Sequence, residues 1–251
     1  MLGIYIHIPF CERKCNYCAF SSFVFNENEK NKYIDHLLKE ITAFDFKKYP
    51  FNENLRLLNK DKTSSCQVDS IYIGGGTPSL LNKEDLTKIL QKLRQKFDIS
   101  KNCEITIECN PNSLDDEKAK NYLQLGINRL SLGIQSLDDD DLKFAGRIHT
   151  SKQALESVDI AKKAGFKNIS CDLLIGLPNQ TPENFVIQLK TLLDKGACHI
   201  SSYMLQIEDG TPLQKFLQKT PNYLPKDDDC VDIYLKASKF LKENGFNHYE
   251  I

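Results

Sequence analysis

Between residues 3 and 8 the apolar Ile4, Ile6 and Ile8 alternate with Tyr5 and His7, the pattern of a half-buried β-strand. From residue 28 to 44 the period changes: Tyr33, Ile34, Leu37, Leu38 and Ile41 recur at helical spacing, which predicts an α-helix. Residues 47–65 are polar, with one proline and no period, so 45–66 reads as an insertion. Beyond Val68 a single unit repeats. Short strands are predicted at 70–73, 104–109, 129–134, 168–175 and 199–207, alternating with helices, the last of which covers 228–244.

The helix ends are punctuated. Thr150 with Gln153 forms a capping-box signature, and Thr181 precedes Pro182, which suits a first helical position. Gly126, Gly165, Gly196 and Gly245 stand where a helix C-terminus favours a left-handed residue. Serial strand-helix winding implies an α/β fold with a parallel sheet. Six strands precede the last helix, two short of a closed eight-stranded barrel, so the expected architecture is an open, partial (β/α)6 barrel.

Polar residues share one face of successive strands: Thr106 with Glu108, Ser131 with Gln135, and Asn168 with Ser170 and Asp172. The opposite faces carry Ile105 and Ile107, Leu130 and Leu132, and Ile169 and Leu173. A closed barrel fills its interior mainly with branched apolar side chains. A polar inner face therefore predicts a wide lumen that holds a ligand.

Composition narrows the class. The chain has 251 residues, 41% hydrophobic and 27% charged, enough for one large globular domain covering 1–251. With 33 Lys and Arg against 34 Asp and Glu, no charge excess favours nucleic acid or an anionic membrane surface. No apolar run reaches the length of a membrane span, and the first strand begins too early to leave room for a signal peptide, so a cytoplasmic location is expected. The acidic runs 138–141 and 227–229 read as solvated helix starts that complement the helix dipole. His7, His36, His149, His199 and His248 are scattered, and His7 reads as a structural hydrogen-bond partner.

Nine cysteines, an odd number in a chain of this kind, argue for metal binding over a disulfide framework. Cys11, Cys15 and Cys18 have the spacing C-x3-C-x2-C directly after the first strand, so one short loop can aim three thiolates at one centre. Cubane clusters are often held by four cysteines, but here Phe20 stands where a fourth might be sought, leaving one metal corner open to a small molecule. Cys66, Cys103, Cys109, Cys171, Cys198 and Cys230 show no ligand-like spacing and read as mostly structural. Gly74, Gly75 and Gly76 follow the second strand at its C-terminal end, where parallel sheets bind ligands, and three bare residues let backbone groups touch a ligand directly.

The cysteine triplet resembles that of the radical S-adenosylmethionine (SAM) enzymes, in which SAM chelates the fourth iron of a 4Fe-4S cluster. The lead-in Ile4-Tyr5-Ile6-His7-Ile8-Pro9-Phe10 is similar to that of the branch containing the oxygen-independent coproporphyrinogen dehydrogenases and the HemW haem chaperones. The dehydrogenases carry a further cysteine two residues past the triplet; Phe20 at that position is the HemW pattern. Glu108-Cys109-Asn110-Pro111, Gly133-Ile134-Gln135-Ser136, Gly146-Arg147-Ile148-His149 and Asp172 to Pro178 resemble the branch's remaining cofactor motifs. The resemblance implies Cys11, Cys15 and Cys18 as cluster ligands, and Tyr5, Tyr17, Gly75, Gly76, Thr77, Glu108, Gln135, Arg147 and Asp172 as SAM contacts. It covers nearly the whole chain, which stops where family members continue into a C-terminal region. It implies haem as a further ligand and a haem protein as acceptor. The alternative it leaves open is oxidative decarboxylation of coproporphyrinogen in porphyrin biosynthesis.

Overall fold

The computed structural model describes residues 2–45 and 67–250, so the expected insertion at 45–66 lies, apart from Asp45, outside the described residues. Strands β1 (Leu2–Ile8), β4 (Val68–Gly75), β5 (Ile99–Cys109), β6 (Arg129–Gln135), β7 (Asn168–Ile175) and β8 (His199–Met204) form one sheet in that order. Every pairing within it is parallel. β1 and β8 are its two edges, so the barrel is partial, as expected. A second, two-stranded parallel pairing joins β2 (Phe10–Cys11) to β3 (Phe23–Val24) and folds the segment between them into a closed loop.

Helices α1 (Glu27–Ala43), α2 (Lys83–Lys96), α3 (Asp116–Leu125), α4 (Asp139–Phe144), α5 (Ser151–Ala164), α6 (Pro182–Lys195), α7 (Pro212–Leu217) and α8 (Asp227–Glu243) complete the described elements. Around the sheet α1 packs on α2, α2 on α3, α3 on α5, α5 on α6 and α6 on α8, in chain order. Ile6, Ile8, Ile71, Ile73, Ile107, Leu130, Leu132, Ile169 and Leu173 face this helical layer, where they meet Ile34, Leu86, Ile89, Leu93, Val158 and Phe185. Each such side chain contributes about 1.5–3 kcal/mol through its removal from water. A buried ion pair, Lys30 Nζ to Asp85 at 2.7 Å, fastens α1 to α2.

The caps follow the sequence signatures. Thr150 and Thr181 each close a capping box, and Gly126, Gly165 and Gly196 adopt left-handed conformations at their helix ends. Two boundaries differ in a way that matters. β5 starts at Ile99, because the polar Ser100 to Asn102 lie on an exposed stretch of strand whose hydrogen bonds do not need an apolar face. β8 stops at Met204, after which the chain turns across the top of the barrel.

The acidic run 138–141 is not uniformly solvated, contrary to expectation. Asp138 caps α4 through bonds from Asp140 and Asp141 N–H, but Asp141 is buried, and its Oδ1 accepts the Asn179 N–H at 3.0 Å. The segment after β7 folds over it, and burial pushes its carboxyl up to about 6. No described helix is long and apolar enough to cross a membrane.

Candidate cofactor site

The C-terminal ends of the strands open into a cavity of about 640 Å³. Cys11, at the end of β2, and Cys15 and Cys18, in the loop between β2 and β3, line it, each partly exposed. That loop is held from three sides. The Asn16 N–H donates to the Ala145 carbonyl at 3.0 Å, the Asn16 side-chain amide to the Phe144 carbonyl at 2.8 Å, and the Asn16 carbonyl accepts from Leu213 N–H at 2.9 Å. Beside it, Arg147 Nη1 donates to the Cys15 sulfur at 3.3 Å, while Nη2 donates to Asn110 Oδ1 at 2.6 Å and the Gly133 carbonyl at 2.9 Å. Arg147 Nε is buried without a partner among the described residues. The guanidinium thus sets a fixed, charged donor on one of the three sulfurs.

The glycines do more than bare the backbone. A Cβ on Gly76 would lie 2.6 Å from the Phe10 carbonyl oxygen, and one on Gly74 would lie 2.8 Å from the Tyr72 ring. Gly75 has φ +116°, and a Cβ there would meet the His7 ring at 2.7 Å. Gly76 N–H donates to the Ile8 carbonyl and Thr77 N–H to the Phe10 carbonyl, at 2.8 and 2.7 Å. The triglycine turn thus presses against the strand that leads into the cysteine loop. His7 is a structural partner here: its Nε2 meets the Ser21 carbonyl at 2.9 Å, leaving Nδ1 to accept from the Tyr5 hydroxyl at 3.1 Å.

Along the cavity wall Glu108 spends both oxygens on the protein, accepting Tyr72 O–H at 2.9 Å and Gly75 N–H at 3.0 Å. Burial pushes its carboxyl up, and those two bonds pull it back. Asp172 is likewise raised by burial and opposed by Ser131, whose hydroxyl reaches both of its oxygens. Burial also pushes the Tyr17 phenol up, against the pull of Arg147. Gln135 reaches the cavity from a backbone at φ +68°, where the register with β7 breaks between Leu132 and Gln135. A non-glycine residue held there costs about 1–3 kcal/mol, a strain characteristic of functional sites.

Of the residues expected to hold SAM, the structure gathers Tyr17, Gly75, Gly76, Thr77, Glu108, Gln135, Arg147 and Asp172 on this one wall. Tyr5 is not among them. Its ring stacks on Tyr72, with centroids 6.1 Å apart, and its hydroxyl turns to His7. Asn110 belongs to the motif Glu108-Cys109-Asn110-Pro111 read from the sequence, whereas Tyr72 and Asn16 were not signalled by it. Tyr72 sits inside an apolar run, and the Asn16 contacts are made by residues far along the chain. Cys109 also reaches the wall, but it is buried, and burial pushes its thiol up to about 12, which keeps it a thiol.

The chain matches the radical SAM superfamily over residues 5–192. The chain belongs to that superfamily. Among its relatives, the heme chaperone HemW of Haemophilus influenzae is 38% identical over 250 residues, which is 99% of this chain and 61% of that protein. HemW of Bacillus subtilis is 33% identical over 252 residues, and a mitochondrial radical S-adenosyl methionine domain-containing protein 1 of Mus musculus is 33% identical over 249. The chain spans about three fifths of the length of these HemW proteins. Among solved structures, coproporphyrinogen III oxidase (HemN) of Escherichia coli, a radical SAM enzyme, superposes with a TM-score of 0.77 at 27% identity, over 98% of this chain and 53% of that one. Native anSMEcpe with bound AdoMet shares the fold, with a TM-score of 0.63 at 14% identity over 96% of this chain and 60% of that one.

Radical SAM membership implies a 4Fe-4S cluster and SAM, and the residues present fit both. Three thiols on one loop face a cavity with a cation already aimed at one of them. Among the described residues no three His, Cys, Asp or Glu side chains close on a point suited to a single ion. A cube of four irons takes one thiolate per iron, so its ligands surround a volume instead.

Proposed function

We propose that this chain binds a 4Fe-4S cluster through Cys11, Cys15 and Cys18, binds SAM along the wall formed by Gly75, Gly76, Thr77, Glu108, Gln135 and Asp172, and serves as a haem chaperone of the HemW type in the cytoplasm. Its acceptor is a haem protein. The observation that carries this reading is Phe20. It lies on the cavity wall, 67% exposed, at the position where the coproporphyrinogen dehydrogenases place a further cysteine. An exposed aromatic ring at the rim of a polar cavity suits a flat apolar ligand, which is retained when most of its surface leaves water.

When bound, the cluster and SAM supply radical chemistry, and the protein positions them. Arg147 donates to the Cys15 sulfur and brings a positive charge that would partly offset the negative charge of three ligating cysteines. Glu108 fixes the Gly75 amide and with it the turn against which the methionine end of SAM would lie. Asp172 offers a carboxylate suited to hydroxyl or ammonium groups. Tyr17, partly buried and with its phenol pushed up by burial, lines the cavity beside the cysteines.

The likeness to HemN favours one alternative, oxidative decarboxylation of coproporphyrinogen. The two are separated by giving the reconstituted protein SAM, a reductant and coproporphyrinogen in one arm, and haem followed by an apo-haemoprotein in the other. The chaperone reading expects no protoporphyrinogen in the first arm, and stoichiometric haem binding with transfer in the second. Decarboxylation in the first arm would replace it with the dehydrogenase.

A further inference from the structure

Asn16 lies between two of the cysteines, yet its hydrogen-bond partners come from far along the chain, after β6 and after β8. Its backbone N–H and side-chain amide both bond to the last residues of the α4 segment, at the Ala145 and Phe144 carbonyls, and its carbonyl takes the Leu213 N–H at the start of α7. The turn it grips continues through Gly146 into Arg147. Gly146 has φ +74°, and a Cβ there would fall 2.8 Å from the Asn16 side chain and 2.9 Å from its backbone nitrogen, so the two segments are in full contact. One residue further, Arg147 aims Nη1 at the sulfur of Cys15, the residue before Asn16. Two adjacent residues of the cysteine loop are therefore tied to two nearly adjacent residues of one turn.

We propose that Asn16 is a positioning residue: by fixing the Phe144–Arg147 turn against the cysteine loop, it sets the Arg147 N–H···S bond to Cys15 and thereby tunes the cluster's electronic environment. Hydrogen bonds to ligating sulfurs raise the reduction potential of iron-sulfur clusters by stabilising the more negative, reduced state. A truncation of Asn16 removes its side-chain hydrogen bond to Phe144, while the two backbone bonds survive. The aromatic trio Phe144, Phe216 and Tyr223, with ring centroids 5.0–5.7 Å apart, packs behind the same turn and keeps α7 in place. Loss of the amide thus loosens the turn without unfolding it.

The inference rests on the cluster assignment proposed above, and its test separates the two. Cluster potential by redox titration and the iron-thiolate stretching region by resonance Raman are read for the unaltered chain, Asn16→Ala, Arg147→Met and the double variant. The expected result is a negative shift in potential and altered iron-thiolate bands in Asn16→Ala, in the same direction as Arg147→Met, with no further shift in the double variant. An unchanged potential in Asn16→Ala, or shifts that simply add, would overturn it while leaving the cluster assignment standing. Loss of the cluster in Asn16→Ala but not in Arg147→Met would also overturn it, because Asn16 would then act on the loop's fold. Gly146→Ala, which crowds Asn16 from within the same turn, is expected to shift the potential in the same sense. An unaltered chain that assembles no cluster would overturn both proposals.

Discussion

Ser131 donates its hydroxyl to both carboxylate oxygens of Asp172, at 2.9 and 3.1 Å, across neighbouring strands of the barrel wall. Burial raises the Asp172 carboxyl above its usual range, and Ser131 limits that rise by favouring the ionised form. In Ser131→Ala the carboxyl should move further up. If ionised Asp172 holds SAM, affinity measured by calorimetry should fall as the pH is lowered, and should begin to fall at a higher pH in the variant. Identical pH profiles would take Asp172 out of the site.

Cysteine substitutions divide into two groups. Cys11→Ala, Cys15→Ala and Cys18→Ala should each abolish cluster assembly, read by iron and sulfide analysis after anaerobic reconstitution, with about four of each in the unaltered chain. Cys109→Ala and Cys171→Ala remove buried thiols and should keep the cluster. Equal loss from Cys109→Ala would break the three-ligand assignment.

The triglycine turn makes a prediction that differs from its bare-backbone reading. Because a Cβ on Gly75 would strike His7 and one on Gly76 would strike the Phe10 carbonyl, both substitutions act first on the protein. Gly76→Ala should lower stability by about 1–3 kcal/mol, the scale of a forced local backbone strain. Urea unfolding measures it, and it should also loosen the cysteine loop enough to reduce cluster retention. An unchanged midpoint would show that the turn yields freely.

Two buried groups pull the pH dependence of stability in opposite directions. Asp141 has a folded value of about 6, above its ordinary value of 3.8, so the folded state binds more protons between them, and stability falls as the pH rises from about 4 to about 6. His149, buried and neutral, is lowered to about 4 by burial and then by Arg147, so its contribution rises with pH from about 4 to 6.5. Asp141→Asn should leave the rising component alone, and His149→Gln the falling one. The difference in unfolding free energy across that window should be about 1–3 kcal/mol per group. Superimposable profiles would refute both assignments.

The order of strands and helices was legible in the sequence because period, caps and glycine stops agree: 168–175, for example, is bounded on both sides by turn residues and forms β7 over those same residues. The polar inner face was legible too, since Glu108, Ser131, Gln135 and Asp172 alternate with branched apolar neighbours. What escaped depends on tertiary contact. Nothing near Asn16 announces partners at Ala145 and Leu213, and nothing in the acidic run distinguishes Asp141, which the fold covers, from Asp140, which it leaves in water. The contacts of Tyr5, a ring stacked on Tyr72 and a hydroxyl bonded to His7, were likewise not announced by its neighbours in sequence.

The clasp on Asn16 also sets a timetable. The cysteine loop is made well before the residues whose carbonyls and amide fasten it, Phe144, Ala145 and Leu213. Contacts so distant in sequence form late, after the intervening chain has given up its freedom. Until Leu213 has been made and docked, the thiols lie in a loop that its partners have not yet shaped. Cluster insertion after that docking is the sequence of events this architecture rewards.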